Sequence, residues 1–290
     1  MTSTAISVVI PAHVHTAAGV AYLDEQLHAL ADQDYPGPME VIVADNGSPI
    51  DLRTHLARSP LRARLDLRYA DASATRGASH ARNAGADQAT GEILLFCDHD
   101  DRVYPDWASS LIAFLDNGYD IVSSAVEGST LNTANPRKAA EIPAPDQFQP
   151  QGVVAPTLVG CSMACRTEAY RALGGLDITY AANEDVEFGW RASLSGYRVG
   201  YLPTALVAYR YRTEFRAGYR QGRARGIGLA RLHAEFPGNG LPAIRFPLLL
   251  LTLAVLTINP CLVREERGLL MGITVGQLTG GLRHRTLLWR

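Results

Sequence analysis

The sequence has few cysteines, and none of them are paired in a C-x-x-C spacing. The four are Cys97, Cys161, Cys165 and Cys261, and each lies among apolar or small residues. Because a disulfide framework or a thiolate zinc site needs paired cysteines, this pattern predicts reduced, buried thiols.

Segments that would export the chain or span a membrane are also missing. Residues 1–13 contain neither a basic stretch nor a long apolar stretch, so a cleaved secretory signal is not expected. The apolar run at 246–258 has 13 residues, whereas a spanning helix needs about 20. The expected location is therefore cytoplasmic, with the tail peripheral on the inner face of the cell membrane.

Acidic and basic side chains are distributed unevenly. Residues 210–290 contain 13 arginines, no lysine and four glutamates, whereas residues 1–209 carry an excess of 11 acidic groups. A basic tail of this kind indicates an anionic partner, such as phosphates or an acidic membrane surface. The alternative is that the tail docks on the acidic part of the chain.

Strand and helix patterns alternate along the chain. Short apolar runs predict strands, and apolar residues repeating on one face predict helices. Strands are expected at 6–10, 41–44, 65–70, 92–97, 121–125 and 199–202. Helices are expected at about 17–31, from Pro105, and at about 78–89, 167–173 and 184–194. This order predicts an α/β domain whose mainly parallel sheet is covered by helices on both faces.

The organisation along the chain suggests two parts. The 290 residues, 47% of them apolar, can bury a large core. We predict one domain over 1–235 and a basic, apolar helical tail over 236–290. Residues 126–155 are polar and lack periodicity, which predicts a long loop that either covers a substrate or is disordered.

Three polar clusters follow predicted strands, at 11–13, 45–47 and 98–101. Ligands of parallel sheets bind beyond the carboxyl ends of the strands, although polar turns would also explain the first two clusters. The third cluster contains three acids directly after an apolar strand, and these repel one another unless a cation is present. Alternation along the strand lets Asp98 and Asp100 act together, so they are the expected ligands of Mg²⁺ or Mn²⁺.

An acidic helix start follows later, from Asn183 to Glu187. One reading is that its acids complement the helix dipole. The other is that one carboxylate acts as a general base, a role typically worth about 10²–10⁴ in rate.

Arginines form a stripe after residue 210. Arg212, Arg216, Arg220 and Arg223 would share one face of a helix. Their planar guanidinium groups suit a departing pyrophosphate, and the first three are the expected phosphate ligands. The alternative is a solvated basic face. Nucleic-acid binding is not expected, since the aromatic residues here do not form a stacking platform.

The tail continues with glycines at every fourth position, at Gly268, Gly272, Gly276 and Gly280. Such a smooth face allows a second helix to approach closely. Residues 246–282 are predicted to form a helical hairpin on or partly in the bilayer, with packing against the rest of the chain as the alternative.

Seven stretches, in this order and spacing, resemble the family 2 glycosyltransferases of the GT-A fold over about residues 5–235. They lie at 7–11, 40–48, 76–85, 90–101, 160–166, 174–177 and 183–185. The resemblance implies a Rossmann-like GT-A domain with a C-terminal helical appendage. It also implies transfer of a sugar from a nucleotide diphosphate sugar to an acceptor hydroxyl in cell-envelope glycans, glycolipids or glycosylated metabolites, lipid-linked acceptors included.

The resemblance also implies roles for single residues on the donor side. Metal binding falls to Asp98 and Asp100, and Asp98 also faces the ribose. The donor nucleotide is expected beside Pro11, His13, Asp45, Arg76 and Arg82.

On the acceptor side, Asp185 is implied as the catalytic base of an inverting displacement. The sugar and acceptor are expected beside Gly160, Cys161, Ser162, Met163 and Glu184.

The sequence departs from the family in two places. Many GT-A enzymes have a metal-binding histidine after the last strand, but there is no histidine between His99 and His233, and arginines at 209–212 occupy that region. The Gln-x-x-Arg-Trp motif of processive synthases is also missing, which favours transfer of one sugar.

Two other functions occur on α/β folds of this kind. An inactive sugar-nucleotide-binding protein of the same fold is the alternative, although Asp98, Asp100 and Asp185 are all present. A nucleotidyltransferase is excluded, because the first strand is not followed by a glycine-rich basic loop.

Overall fold

The computed structural model describes residues 4–133, 154–238, 240–241, 243–259 and 264–289. These residues divide into two compact units. The first contains the described residues up to 133 together with 155–178 and 188–210, and the second contains residue 154, residues 179–187 and the described residues from 211 onward. The division at 235/236 stays a prediction. Most of the predicted loop at 126–155 lies outside the described residues.

The first unit alternates strands and helices, as the sequence predicts. Its strands are β1 (Ile6–Ala12), β2 (Met39–Asp45), β3 (Asp66–Asp71), β4 (Ile93–Phe96), β5 (Arg102–Val103), β6 (Ile121–Glu127), β7 (Met163–Arg166) and β8 (Val199–Ala208). Its helices are α1 (Ala17–Ala31), α2 (Leu52–Ala57), α3 (Ala78–Asp87), α4 (Trp107–Leu115) and α5 (Thr167–Ala172), followed by the larger part of α6 (Glu184–Leu194).

The eight strands form one sheet in the order β3-β2-β1-β4-β7-β6-β8-β5. The pairs β1–β2, β2–β3, β1–β4 and β6–β8 are parallel, while β7 runs antiparallel to both of its neighbours and β5 antiparallel to β8. The prediction of a mainly parallel sheet is confirmed. Strands β5 and β7 and helix α2 were not predicted from the sequence.

Both faces of the sheet are covered. Alternate side chains of each strand point to opposite faces, so Val8 and Ile10 join a core with α1, α2 and α4, whereas Val9 joins a core with α3, α5 and α6. Gly85 of α3 lies close to the strand below it, because a Cβ there would come within 2.4 Å of Val9 Cγ1.

The cysteines behave as predicted wherever they are described. Cys97, Cys161 and Cys165 are buried and free, and burial raises the pKa of the Cys97 and Cys165 thiols. Cys261 lies outside the described residues.

The second unit contains α7 (Phe215–Glu235), α8 (Phe246–Ile258) and α9 (Arg264–His284). The predicted glycine face of α9 is confirmed, and the helix that approaches it is α7. A Cβ on Gly272 would lie 2.3 Å from the Tyr219 carbonyl oxygen, and one on Gly276 would lie 2.3 Å from that of Arg223. Residue numbers increase in the same direction along both helices at these contacts, so α7 and α9 run parallel. Of the helices described, none is both long and apolar enough to cross a membrane.

Candidate active site at the carboxyl edge of the sheet

The carboxyl ends of the parallel strands carry the polar residues of the site. Ala12, Asp45 and Asp71 are partners in the register of β1, β2 and β3, so these three ends form one edge. Asp45 is buried. Its Oδ1 accepts a hydrogen bond from the Ser48 amide at 2.8 Å, and its Oδ2 accepts one from the Tyr69 hydroxyl at 3.2 Å.

At the end of β1, Pro11 is buried while His13 is exposed. The ring of His13 lies 5.9 Å from that of His15, centroid to centroid. The Val14 amide between them donates to Ser48 Oγ at 2.8 Å, which joins this turn to the turn after β2. Ser48 therefore links the turn that carries two exposed imidazoles to the buried carboxylate of Asp45.

Asn46 holds the loop that carries Arg76. Its side-chain amide donates to the carbonyl oxygens of Ala72 and Thr75, at 2.6 and 2.8 Å, and its Oδ1 accepts from the Gly77 amide at 2.8 Å. Gly77 has a φ of 140°, a left-handed value that favours glycine, and Arg76 before it is exposed. The sequence predicts Asn46 only as part of a polar turn, so its role in holding this loop was not predicted.

Arg82 and Asp98 form an ion pair in which the arginine is buried and the aspartate half-buried. Arg82 Nη2 lies 2.7 Å from Asp98 Oδ1, and the arginine, on α3, is almost wholly buried. Gln26 of α1 donates to the Asp98 carbonyl oxygen at 3.1 Å and accepts from the Val103 amide at 3.0 Å. The segment after β4 is thus fixed from both faces of the sheet. The contact of Gln26 was not foreseen, because a glutamine in a helical pattern gives no signal.

Asp101 is the most buried acid of the cluster. Burial, with the carboxylates of Asp98 and Asp100, raises the pKa of Asp101 well above its ordinary value. Its Oδ1 accepts from the Arg210 amide at 2.8 Å, and the Cys161 thiol also donates to its carboxylate. Its Oδ2 receives no hydrogen bond from the part of the chain that the structure describes.

These contacts create a place that suits a cation. One ligand atom from each of Asp98, Asp101 and Cys161 lies within 4.8 Å of the others. Two carboxylates, one with a buried and unsatisfied oxygen, offer the hard donors that Mg²⁺ and Mn²⁺ prefer. Asp100 is buried but is not part of this group, so its role as a metal ligand stays a prediction.

Arg210 follows β8, in the region where the family's histidine is missing. Its Nε donates to the Asp100 carbonyl oxygen at 2.8 Å, and its Nη2 lies 2.7 Å from Glu25 Oε2. The guanidinium carbon stands 3.9 Å from the ring centroid of Tyr22. Arg210 therefore ties the acidic segment to α1. This role was missed, since nothing in the sequence connects residues that are 185 positions apart.

The residues expected beside the sugar line the approach to β7. Gly160, Cys161, Ser162 and Met163 are buried. Met163 pairs with Phe96 across the sheet, which brings Cys161 beside the end of β4. Ser162 Oγ accepts from the Trp107 indole at 3.1 Å and shares a hydrogen bond with Ser124 at 2.5 Å.

The remaining predicted residues belong to the second unit. Glu184 and Asp185 are half-buried in the first turn of α6, after Asn183, which has a φ of 68°. Asp185 Oδ1 accepts a hydrogen bond from the Val186 amide at 2.9 Å.

The predicted arginine stripe is shorter than expected. Because α7 begins at Phe215, Arg212 precedes the helix, while Arg216, Arg220 and Arg223 lie on it and are exposed. A cavity of about 390 Å³ is lined by Phe215, Arg216, Tyr219 and Arg220.

Comparison with known proteins identifies the family of the chain. The family model described as Glycosyl transferase family 2 matches residues 7–174, more than half of the chain, and the one described as Glycosyl transferase family group 2 matches residues 93–273. The chain belongs to glycosyl transferase family 2. The resemblance inferred from the motifs is therefore confirmed.

Two curated glycosyltransferases are similar to parts of the chain. The pre-mycofactocin glycosyltransferase of Mycobacterium tuberculosis is 28% identical over 249 residues, which cover 82% of this chain and 50% of that protein. The chain thus spans about half the length of that relative. The glycosyltransferase AglE of Haloferax volcanii is 33% identical over 131 residues, 44% of this chain and 41% of that protein.

Solved structures share the fold. The mannosyltransferase PcManGT from Pyrobaculum calidifontis, in complex with GDP-Man and Mn²⁺, aligns with a TM-score of 0.64 at 19% identity, over 99% of this chain and 73% of that chain. TarS 1-349 of S. aureus in complex with UDP-GlcNAc aligns with a TM-score of 0.56 at 18% identity, over 97% and 92%. The predicted GT-A fold with a C-terminal helical region is confirmed.

Proposed function

We propose that this chain is a glycosyltransferase that moves one sugar from a nucleotide diphosphate sugar to an acceptor hydroxyl. The observation that carries the proposal is the carboxyl edge of the sheet, where Asp45, the Arg82–Asp98 pair and Asp101 gather. The relatives support it: TarS and PcManGT are described in complex with UDP-GlcNAc and GDP-Man, respectively.

The donor nucleotide binds at this edge. Pro11, His13 and Asp45 take the base and ribose, since the exposed imidazole and the buried carboxylate offer one stacking surface and one acceptor. Arg76 and Arg82 lie toward the nucleotide. The loop of Arg76 is already ordered by Asn46, so little conformational entropy remains to be lost on binding.

A divalent cation, Mg²⁺ or Mn²⁺, fits the acidic segment. Asp98 and Asp101 would hold it, with the Cys161 sulfur at hand, and Asp100 is the further candidate from the sequence. When bound, the cation would neutralise charge on the leaving diphosphate. PcManGT is described with Mn²⁺.

The transfer is an inverting displacement. The acceptor oxygen attacks the anomeric carbon, a new C–O bond forms, and the bond from that carbon to the diphosphate breaks. The nucleoside diphosphate leaves with the bonding electron pair, and the hydroxyl proton passes to the carboxylate of Asp185. Glu184 and the Gly160–Met163 segment border the sugar and the acceptor.

Arginine supplies positive charge for phosphate. Arg216 and Arg220 line the cavity on α7 and Arg212 precedes the helix, so all three are proposed as phosphate ligands. The acceptors include lipid-linked alcohols, and the protein is peripheral on the inner, anionic face of the cell membrane. Nucleic acid is not a proposed partner.

The test is a thermal-shift panel of UDP, GDP and dTDP, each with Mn²⁺, Mg²⁺ or EDTA. A ligand that binds only the folded chain at 100 times its dissociation constant stabilises it by about 2.7 kcal/mol. One nucleotide should raise the melting temperature in wild type and in Asp87→Asn, an exposed acid at the end of α3, but not in Asp98→Asn. A chain indifferent to every nucleoside diphosphate would refute the proposal.

A further inference from the structure

The outward half of α8 is an apolar surface that is exposed among the residues the structure describes. Leu248, Leu251, Val255 and Ile258 are 56%, 61%, 46% and 79% exposed, and we call these four residues the apolar face. No charged residue occurs between Phe246 and Ile258. The opposite side of the helix is buried, with Leu249 in a small core beside Ala230 and Leu287. Apolar surface of this extent marks an interaction site.

The end of the described chain returns to the start of α8. The Phe246 amide donates to the Leu288 carbonyl oxygen, and the Leu288 amide donates to the Ile244 carbonyl oxygen, both at 2.7 Å. Trp289 lies with its ring centroid 4.6 Å from that of Phe246 and is 62% exposed, whereas Trp107 and Trp190 are completely buried. An exposed tryptophan beside an apolar helix is typical of the boundary between lipid and water.

Arginines surround this junction. Arg245 precedes α8, Arg283 lies in the last turn of α9 and Arg285 follows that helix, and all three are exposed. Residues 240–290 contain six arginines, no lysine and two glutamates, a net charge of +4. A partner that fits this surface is apolar where it meets the centre and negatively charged where it meets the arginines.

We propose that the apolar face of α8 docks on an anionic lipid bilayer. The helix lies in the headgroup region, with Trp289 at the boundary and Arg245, Arg283 and Arg285 on lipid phosphates. Its 13 residues extend only about 20 Å at 1.5 Å per residue, a length that suits lying in the surface. A second copy of the chain is a poorer occupant, because pairing two such surfaces would bring arginines together.

This proposal specifies the membrane contact of the peripheral location proposed above and does not depend on the transferase chemistry. Its experiment uses the full chain with vesicles of phosphatidylcholine alone or with 30% phosphatidylglycerol, separated by flotation. We expect binding to the anionic vesicles that falls steeply with salt. Because Trp289 is the exposed tryptophan, its emission should shift to the blue on binding, and brominated lipid should quench it.

The variants separate the two parts of the surface. Leu251→Glu with Ile258→Glu should weaken vesicle binding by at least 100-fold, since each change places a charge at the apolar boundary. Arg283→Gln with Arg285→Gln should weaken it about 30-fold, at about fivefold per arginine. The matched controls are Leu194→Glu and Arg58→Gln, exposed residues of the first unit, and both should bind like wild type.

Three outcomes would overturn the proposal. The first is vesicle binding that does not depend on the phosphatidylglycerol content. The second is vesicle binding by the Leu251→Glu, Ile258→Glu variant that equals wild type. The third is a wild-type dimer in solution that dissociates in this variant. Melting temperatures and nucleotide shifts measured on every variant separate this result from the proposed function, because an intact nucleotide response without vesicle binding removes only the membrane contact.

Discussion

The two units differ in what they leave at their surfaces. In the first unit the charged groups of the site are drawn inward, as Arg82 is onto Asp98 and Arg210 onto Glu25. In the second unit the described surface carries most of the exposed large apolar side chains, Leu248 to Ile258 and Trp289 among them, together with exposed arginines. A fixed set of buried charges suits a small polar ligand, whereas an exposed apolar face with basic neighbours suits an extended surface.

The comparison can be tested first at Asp185, because proton transfer is assigned to the second unit, whereas the base, the ribose and the metal ion are assigned to the first. Asp185→Asn removes the proposed base, so transfer should fall by about 10²–10⁴. The nucleotide-induced shift in melting temperature should stay as in wild type. The rate is measured with radiolabelled donor sugar.

The control for Asp185 is Glu168→Gln, which changes an exposed acid in the first turn of another helix, α5. It should transfer at the wild-type rate. Equal loss in both variants would mean that acids at helix starts matter only for stability, and wild-type turnover by Asp185→Asn would remove the base assignment.

The ion pair between buried Arg82 and half-buried Asp98 gives the next largest effect. Arg82→Ala leaves the half-buried carboxylate of Asp98 without its partner, so the free energy of unfolding should fall by about 2–3 kcal/mol, at or below the lower end for a fully buried pair. Nucleotide binding should be lost as well. Urea titration measures the stability, and the double variant with Asp98→Asn should recover part of it. A double variant no more stable than Arg82→Ala would show that the two residues are not coupled.

Much of the first unit was visible in the sequence, and the exceptions have physical reasons. Helix α1 was predicted with its observed bounds because its apolar residues share one face. Strand β8 was predicted only to residue 202, since Pro203 argues against a strand. The strand continues to Ala208 because its register with β6 shifts at this point: Leu202 pairs with Ser124 and Ala205 pairs with Ala125, so the pairing passes over Pro203. Strand β7 was missed because Met163–Arg166 has no β-branched residue.

The residues of the site also divide into those that could be predicted from the sequence and those that could not. Residues at strand ends could be predicted because a parallel sheet brings those ends together, as for Asp45 and Asp98. Gln26 and Arg210 could not, since their partners lie 72 and 110 residues away in the chain. Such contacts are set by tertiary packing and leave no local pattern.

In the second unit, the glycine contacts between α7 and α9 allow a sharper test. A Cβ at Gly226 would lie 2.2 Å from the Ile273 carbonyl oxygen. Gly226→Ala should therefore force the helices apart and lower the free energy of unfolding by about 2 kcal/mol.

Arg225→Ala, an exposed change on the same helix, should stay within about 0.5 kcal/mol of wild type. Hydrogen exchange should show the loss of protection in α7 and α9 and not in β1–β4. Faster exchange in the sheet would mean that the two units unfold together.

The candidate metal site predicts different effects for two neighbouring acids of the first unit, Asp100 and Asp101. The group formed by Asp98, Asp101 and Cys161 implies that Asp101→Asn should raise the Mn²⁺ concentration for half-maximal transfer at least tenfold. Asp100→Asn should raise it less, because Asp100 is outside that group. The measurement is transfer rate against Mn²⁺ at saturating donor. A larger effect at Asp100 would indicate that Asp98 and Asp100 hold the metal, as predicted from the sequence.

Arg210 gives the smallest expected effect and tests how firmly the first unit fixes its charges. Arg210 holds Asp100 and Asp101 through its side chain and its backbone amide, so a side-chain change keeps one of the two contacts. Arg210→Ala should raise the KM for donor about tenfold with little change in kcat. Arg210→Lys should not restore it, because a lysine cannot bond both Glu25 and the Asp100 carbonyl in the plane of one group. Arg58→Gln is the control. A fall in kcat with unchanged KM would indicate that Arg210 contacts the leaving diphosphate directly. It would argue against the proposed role, in which Arg210 only positions Asp100 and Asp101.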